Sequence, residues 1–329
     1  MELTCFKRYD IRGKIDQTID EEVCYKIGRA FVSVFNAKEI VLGRDVRESS
    51  PRFASSLANG IMDQGCNVLD VGICGTEEMY WATTEFDACG GVQVTASHNP
   101  IEYNGLKLVK AGSKPVDPDT ELLDIKKVAE NQGFSQSIRK GSLFQVSDKA
   151  RKKYIEKVLS FVDLKKIRPI KVLVNCGNGA AGPTLMKIIE RIEEETGAIN
   201  LVKMFFEPDS TFPNGIPNPM LEHTHKVTRT KILESGADLG IAFDGDFDRC
   251  FFFDEKGSFI NGEYIVGLLA SIFIDKEPNG KIVHDPRVIW NYDDIIMASK
   301  ASAVLSKTGH AYIKQAMREN NAIYGGENV

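Results

Sequence analysis

Nine short strand-like runs constrain this chain most, because they fall in order into three triplets separated by helix-like segments. The first triplet is KEIVLG (38–43), NVLDVG (67–72) and GGVQVTA (90–96). The second is IKVLVN (170–175), NLVKMFF (200–206) and ADLGIAF (237–243), and the third is GKIVHD (280–285), SAVLSK (302–307) and NAIYGG (321–326). Strands alternating with helices predict an α/β protein. After each first strand the spacing turns helical; in the second copy Leu185, Ile188, Ile189 and Ile192 share one face of a segment opening at Ala181. Identity between the copies is low, so the repeat is one of pattern. With 329 residues the chain exceeds one ordinary core and implies two or three domains.

Composition narrows the function classes. Hydrophobic residues at 43% and charged residues at 26% give the balance of a soluble globular protein. Lys plus Arg number 41 against 46 Asp plus Glu, a net charge of -5. That charge gives no general attraction to nucleic acid or an anionic membrane, so neither is expected as a partner and any basic site is local. The longest apolar run, Tyr264 to Ile274, is broken by Gly267 and Ser271 and falls well short of the roughly 20 residues of a membrane span. Glu2, Lys7, Arg8 and Asp10 stand where a secretory signal would carry apolar residues, so a cytoplasmic protein is expected. The seven cysteines form no C-x-x-C pair and read as reduced, mostly buried thiols.

Each third strand runs straight into a polar loop: Thr95-Ala-Ser-His-Asn-Pro, Asp244-Gly-Asp-Phe-Asp-Arg and Gly325-Gly-Glu. Ligands of α/β sheets gather beyond the carboxyl ends of the strands, so the three loops read as walls of one cleft. Asp244, Asp246 and Asp248 alternate, which lets one loop turn three hard oxygen ligands onto a Mg²⁺ or Ca²⁺ ion. An EF-hand is excluded by Arg249 at the position needing Gly and by the strand-like Cys250-Phe-Phe-Phe. A solvated acidic turn remains open for a bare D-x-D-x-D, but a cation beside it, Arg249, suits a phosphoryl group shared with a metal.

Ser97 sits on a turn set by Ala96, Asn99 and Pro100, with His98 placed to shuttle a proton. From that hexapeptide alone an ordinary turn serine is the commoner reading. Arg12, Arg44 and Arg47 are expected around tight turns near it, and Asn104-Gly105 reads as a hairpin turn that swings Lys107 back toward Ser97. Such cations would balance phosphoryl charge, although a surface ion pair explains any one of them. The run Asn175-Cys-Gly-Asn-Gly-Ala-Ala-Gly-Pro lacks a Walker Lys-Ser/Thr and reads first as a structural glycine turn. Lys307, His310 and Glu327 lie at adjacent strand ends of the third copy, a set suited to hydroxyls and phosphate.

Together these residues resemble the α-D-phosphohexomutase (phosphoglucomutase/phosphomannomutase) family, and most closely its bacterial phosphomannomutases of GDP-mannose synthesis. The resemblance spans Phe6-Lys-Arg-Tyr-Asp-Ile-Arg-Gly13, Thr95–Pro100, Phe212-Pro-Asn-Gly-Ile-Pro-Asn-Pro219, Ala242–Arg249, Lys307-Thr-Gly-His310 and Tyr324-Gly-Gly-Glu327. It implies three similar α/β/α domains with mixed sheets, a phosphoserine-loop domain at 1–148, a metal-loop domain at 149–257 and a sugar-binding domain at 258–329. It implies that Ser97 is the phosphoserine and that its phosphate, Asp244, Asp246 and Asp248 hold Mg²⁺. A phosphoryl group would pass to a hexose phosphate, giving a hexose 1,6-bisphosphate that also serves as activator and returns its other phosphate to the serine. His98, Lys107 and Arg12 match catalytic positions; Tyr9, Arg249, Tyr264, Arg287, Lys307, His310 and Glu327 match substrate contacts. The small-molecule partners would be hexose phosphates, with mannose against glucose preference and oligomeric state left open.

The departure from the family pattern is at the end. Glu327 is followed by Asn328-Val329, where the family continues with Met-Ser and a histidine and adds a fourth domain. The expectation is an incomplete third domain, an absent fourth, and slow or lost turnover in a chain that still binds metal. A phosphoglucomutase, a dual-specificity mutase and an inactive remnant are the alternatives. A dehalogenase-type phosphatase fits less well, since its D-x-D loop belongs near the N-terminus.

Overall fold

The computed structural model describes residues 2–131, 134, 137 and 139–327. By contact density the chain divides into two compact units, Met1–Gly257 and Ser258–Val329.

The first unit holds two sheets. One is built from β1 (Ile11–Lys14), β2 (Glu39–Arg44), β3 (Asn67–Ile73), β4 (Gly90–Val94), β5 (Tyr103–Lys110), β6 (Lys114–Pro115) and β7 (Leu143–Gln145). Its order is β1-β5-β4-β2-β3-β7, with β6 beside β5. Strands β4, β2, β3 and the edge strand β7 run parallel, while β5 is antiparallel to both β4 and β1. The other sheet contains β8 (Ile170–Asn175), β9 (Ile199–Met204), β10 (Leu239–Phe243) and β11 (Cys250–Phe253). Here β9, β8 and β10 are parallel in that order, and β11 closes antiparallel on β10.

In the second unit the strands Lys281–His284, Ser302–Leu305 and Tyr324–Gly326 form a parallel sheet with Lys281–His284 in the centre. The repeat predicted from pattern is therefore a repeat of topology. All nine strand-like runs are strands, and in each copy the first lies between the second and the third. In the first two copies an antiparallel strand follows the polar loop.

The connecting helices of the first unit are α1 (Glu21–Phe35), α2 (Ser50–Asp63), α3 (Thr76–Glu85), α4 (Glu121–Asn131), α5 (Ser147–Leu159), α6 (Ala181–Thr196) and α7 (Glu222–Ser235). Their ends follow local chemistry: the Asp20 carboxylate accepts the Val23 N–H at 2.8 Å to open α1, and Asn36 closes it in a left-handed cap at φ 47°. The core between α1, α2 and the first sheet contains Phe31, Phe53, Leu57, Ile61, Ile40 and Leu42, all fully or almost fully buried. Each such side chain contributes about 1.5 to 3 kcal/mol. The second unit carries α8 (Gly262–Lys276), α9 (Ile289–Met297) and α10 (His310–Asn320). Among the described residues no helix is long and apolar enough to cross a membrane.

Two expectations about turns are corrected. Asn104 and Gly105 lie inside β5, not in a hairpin turn. The Asn104 amide is buried and donates to the hydroxyls of Ser49 at 2.8 Å and Ser50 at 3.0 Å, and Gly105 pairs with Arg12 where a Cβ would strike the Ile11 carbonyl at 2.2 Å. The chain turns back earlier, over residues 96–102. Arg12, expected at a tight turn, is a strand residue of β1.

The cysteines are free, as expected; five are buried, Cys89 is half-buried and Cys250 is exposed.

Candidate active site

Strand β4 ends in a fully buried run, and the chain then breaks sharply. Ser97 adopts φ 50°, a left-handed conformation uncommon for a residue with a Cβ. Its N–H donates to Thr95 Oγ1 at 2.8 Å, and the Asn99 N–H closes the turn on the Ala96 carbonyl at 2.9 Å. The turn leaves Ser97 only 2% exposed, with Oγ donating to Asp244 Oδ2 at 2.6 Å and lying 3.1 Å from His98 Nδ1. Arg12 reaches the same turn, donating from Nη1 to Asn99 Oδ1 at 2.7 Å while pairing with Asp10.

The aspartate loop leaves β10 at Phe243 and packs directly on the serine turn. A Cβ at Gly245 would lie 2.7 Å from the Ser97 carbonyl oxygen, so only glycine admits this approach. The Gly245 carbonyl accepts the Ala180 N–H at 3.0 Å, which is what the glycine run after β8 does: it buttresses the aspartate loop, the structural role expected of it. Phe247 wedges its ring against Gly75, anchoring the loop tip.

One carboxylate oxygen from each of Asp244, Asp246 and Asp248 lies within 4.8 Å of the others. Lys107 on β5 reaches into this group, donating to Asp246 Oδ2 at 2.7 Å and Asp248 Oδ2 at 2.6 Å. Oδ1 of Asp246 and Oδ1 of Asp248 are buried without a hydrogen-bond partner. Buried carboxylate oxygens are ordinarily satisfied, and two orphans beside a third carboxylate make an all-oxygen set suited to a hard divalent cation.

The charges are interdependent. Burial works against the Lys107 ammonium, yet Asp246 and Asp248 hold its pKa well above the usual lysine range. Burial also opposes ionisation of Asp246, but Lys107 outweighs it and lowers that carboxyl's pKa. Asp248 moves the other way, raised by burial and by the neighbouring Asp246 charge. Arg249 turns its N–H toward Asp244 Oδ1 at 3.3 Å and its guanidinium toward Asp248 at 4.0 Å.

Of the residues singled out from sequence, the structure thus gathers Ser97, His98, Lys107, Asp244, Asp246, Asp248, Arg12 and Arg249. Tyr9 is 44% exposed with Arg8 over its ring. In the second unit Arg287 donates to the fully buried Asp285 and to Glu327 Oε1 at 3.3 Å, and Glu327 also accepts the Gly309 N–H at 2.7 Å. Lys307 is exposed, with its ammonium 5.5 Å from the centre of the Tyr312 ring. Tyr264 is 62% exposed on α8. His310 opens α10, and its side chain lies outside the described residues.

Two basic residues expected to balance phosphoryl charge are engaged elsewhere. Arg44 faces Asp70 at 3.5 Å, and Arg47 is buried with its Nη donors on backbone carbonyls and Nε 3.4 Å from Asp45. Sequence reading missed Thr76, the first residue of α3, whose hydroxyl donates to Asp246 Oδ2 at 2.6 Å and whose N–H donates to the Asp246 carbonyl at 3.1 Å. It also missed Glu78, buried and accepting from Thr184 at 2.9 Å and from the Gly75 N–H at 2.9 Å. The Gly75-Thr-Glu-Glu run is a recognisable helix start, but nothing local names partners more than 100 residues away.

Profiles of the phosphoglucomutase/phosphomannomutase alpha/beta/alpha domains match this chain in order: domain I over residues 4–135, domain II over 152–257 and domain III over 261–328. A phosphomannomutase of Salmonella montevideo is 49% identical over 327 residues, 99% of this chain and 71% of that protein. One from Escherichia coli K12 is 48% identical over the same spans, and phosphohexose mutases of Xanthomonas campestris are 44% identical. Among solved structures, a phosphoglucomutase/phosphomannomutase family protein of Burkholderia thailandensis superposes with a TM-score of 0.90 at 30% identity, covering 100% of this chain and 71% of that one. An Aspergillus fumigatus N-acetylphosphoglucosamine mutase crystallised with glucose 1,6-bisphosphate shares the fold at TM-score 0.57 and 16% identity, covering 99% of this chain and 66% of that one.

Proposed function

The chain belongs to the phosphoglucomutase/phosphomannomutase family, and from that premise we propose that it is a phosphomannomutase interconverting mannose 6-phosphate and mannose 1-phosphate. The observation that carries the chemistry is Ser97 Oγ, buried on a left-handed turn and 2.6 Å from one of three clustered carboxylates.

In this reading Ser97 Oγ carries the phosphoryl group. Transfer breaks the Oγ–P bond and forms a P–O bond to the free sugar hydroxyl, whose proton leaves to a neighbouring base; the return step runs these changes in reverse from the other end of the hexose 1,6-bisphosphate. His98 Nδ1, 3.1 Å from Oγ, takes the serine proton when Ser97 attacks. Lys107 and Arg12 act on the sugar hydroxyl and the transferring oxygens, and Arg249 steadies the equatorial oxygens. Mg²⁺, held by Asp244, Asp246, Asp248 and the Ser97 phosphate, would neutralise charge on the phosphoryl oxygens. Added hexose 1,6-bisphosphate would prime the serine.

Tyr9, Tyr264, Arg287, Lys307, His310 and Glu327 are the proposed sugar and phosphate contacts, on domains bounded at 1–148, 149–257 and 258–329. A cytoplasmic place in GDP-mannose supply completes the reading. The 44% identity to phosphohexose mutases favours dual specificity as a second reading.

The test is ³¹P NMR of mannose 1-phosphate and glucose 1-phosphate with Mg²⁺ and catalytic hexose 1,6-bisphosphate. Conversion of mannose 1-phosphate in preference to glucose 1-phosphate, lost in Ser97→Ala, supports the reading. Equal rates favour the second, and conversion that survives Ser97→Ala overturns both.

A further inference from the structure

The most deeply buried large side chain near the serine is not one that faces Oγ. Arg47, in the loop between β2 and α2, has its side chain 1% exposed, an unusual place for a guanidinium. Its four terminal N–H groups meet four backbone carbonyls of one turn. Nη2 donates to the carbonyls of Ser97 at 2.9 Å and Asn99 at 2.5 Å, and Nη1 donates to those of Pro100 at 2.9 Å and Tyr103 at 3.0 Å. Behind the guanidinium stands the equally buried Asp45, 3.4 Å from Nε. Asp45 in turn accepts the Arg47 N–H at 3.0 Å and the Ser50 hydroxyl. The Phe212 ring lies 5.8 Å from the guanidinium carbon.

We infer that Arg47 is the positioning residue of the transfer reaction: its planar fork holds residues 97–103 in the one conformation that keeps Ser97 left-handed and its Oγ on the aspartate cluster. The inference rests on Ser97 being the phosphoryl acceptor. It differs from charge balance, because every Nη proton is committed to a carbonyl and none is left for a phosphoryl oxygen. The carbonyls of Ser97, Asn99, Pro100 and Tyr103 converge on this one guanidinium, while the turn's own backbone adds the Tyr103 N–H to the Pro100 carbonyl at 3.0 Å. A guanidinium supplies four coplanar donors there; an ammonium supplies three, tetrahedrally. Charge alone therefore does not replace it. A displacement of about 1 Å at a reacting atom costs on the order of 100-fold in rate.

The experiment compares the wild type with Arg47→Lys in three readouts on the full chain. The first is the single-turnover rate of Ser97 phosphorylation at saturating glucose 1,6-bisphosphate with Mg²⁺. The second is Mn²⁺ affinity, and the third is amide hydrogen exchange of the 97–103 segment. The expected result is a rate lowered about 100-fold, Mn²⁺ affinity within about twofold because the aspartates are untouched, and faster exchange confined to 97–103. A wild-type rate in a folded Arg47→Lys overturns the assignment, as does Mn²⁺ affinity falling in step with the rate, which marks general collapse of the site. If the wild type takes no phosphoryl group, the proposed function fails and the exchange readout alone decides the clamp: unchanged protection of 97–103 in the variant overturns it. Should Arg47→Lys not fold, Ser50→Ala loosens Asp45 behind the guanidinium without touching any group at Oγ. It should speed exchange of 97–103 and slow phosphorylation several-fold, and no change in either overturns the inference.

Discussion

Replacing Thr76 with valine removes one hydroxyl, keeps the shape, and tests whether α3 holds the metal-site carboxylate in place. The hydroxyl donates to Asp246 Oδ2 at 2.6 Å, and both residues are fully buried. A hydrogen bond to a buried charge is worth about 1.5 to 3 kcal/mol. The lower half of that range applies, because Lys107 still serves the same oxygen at 2.7 Å and the Thr76 N–H still holds the Asp246 carbonyl at 3.1 Å. Taking about 2 kcal/mol, and roughly 2 to 4 °C per kcal/mol for a unit of this size, Thr76→Val should lower Tm in EDTA by about 4 to 8 °C. Freed of one restraint, Asp246 should also bind a divalent cation about 10-fold more weakly, the lower end of the effect of losing a partner behind a metal ligand. Calorimetric melting with EDTA and isothermal titration with Mg²⁺ or Mn²⁺ read the two effects. A Tm within about 1 °C of wild type, with unchanged cation affinity, would refute the reasoning that Thr76 supports this carboxylate.

Three further outcomes follow from the same geometry. Lys107→Met leaves the carboxylates without their internal cation; stability in EDTA should fall by about 3 to 5 kcal/mol while divalent-cation affinity rises, and a titration showing weaker binding would contradict the arrangement. Gly245→Ala places a Cβ 2.7 Å from the Ser97 carbonyl, so overpacking should cost about 1 to 3 kcal/mol in urea melts and slow Ser97 phosphorylation; wild-type values in both would show that the loops do not meet this closely. Burial raises the Glu78 pKa above that of the unfolded chain, so folding takes up a proton above about pH 4.3. That contribution to stability is complete at lower pH and is lost as pH rises through the folded-state pKa. Glu78→Gln should therefore flatten the fall in stability from about pH 4 upward, and an unchanged slope would assign the dependence elsewhere.

How much of this could be read in advance depended on how local each signal was. The nine strands were legible because each announces itself within a few residues, and the loops after Ala96 and Phe243 because ligand loops follow strand ends. Ser97 and the aspartates, 147 residues apart in their closest pairing, could be placed in one cleft because their loops end equivalent strands, and their roles came from the family resemblance; the structure supplies the 2.6 Å contact. Asn104-Gly105 misled because a dipeptide that normally turns was instead selected for burial: the amide is needed by Ser49 and Ser50, and the missing Cβ by the passing β1 backbone. Arg47 reads from sequence as a cation balancing phosphoryl charge or in a surface ion pair, because nothing near it in sequence names its acceptors, which lie 50 to 56 residues away. Thr76 and Asp246 are 170 residues apart, beyond any periodicity argument. Periodicity reports what a segment does with its own neighbours, and the misses are all contacts between segments far apart in sequence.

The central claim is that Ser97 accepts a phosphoryl group, and peptide mass spectrometry tests it most directly. The purified chain is incubated with Mg²⁺ and a hexose 1,6-bisphosphate, digested, and compared with Ser97→Ala treated alike. The account predicts one added phosphoryl group, mapped to Ser97 and absent from the variant. A folded, metal-competent wild type that takes no label, or takes it at another residue, would contradict it.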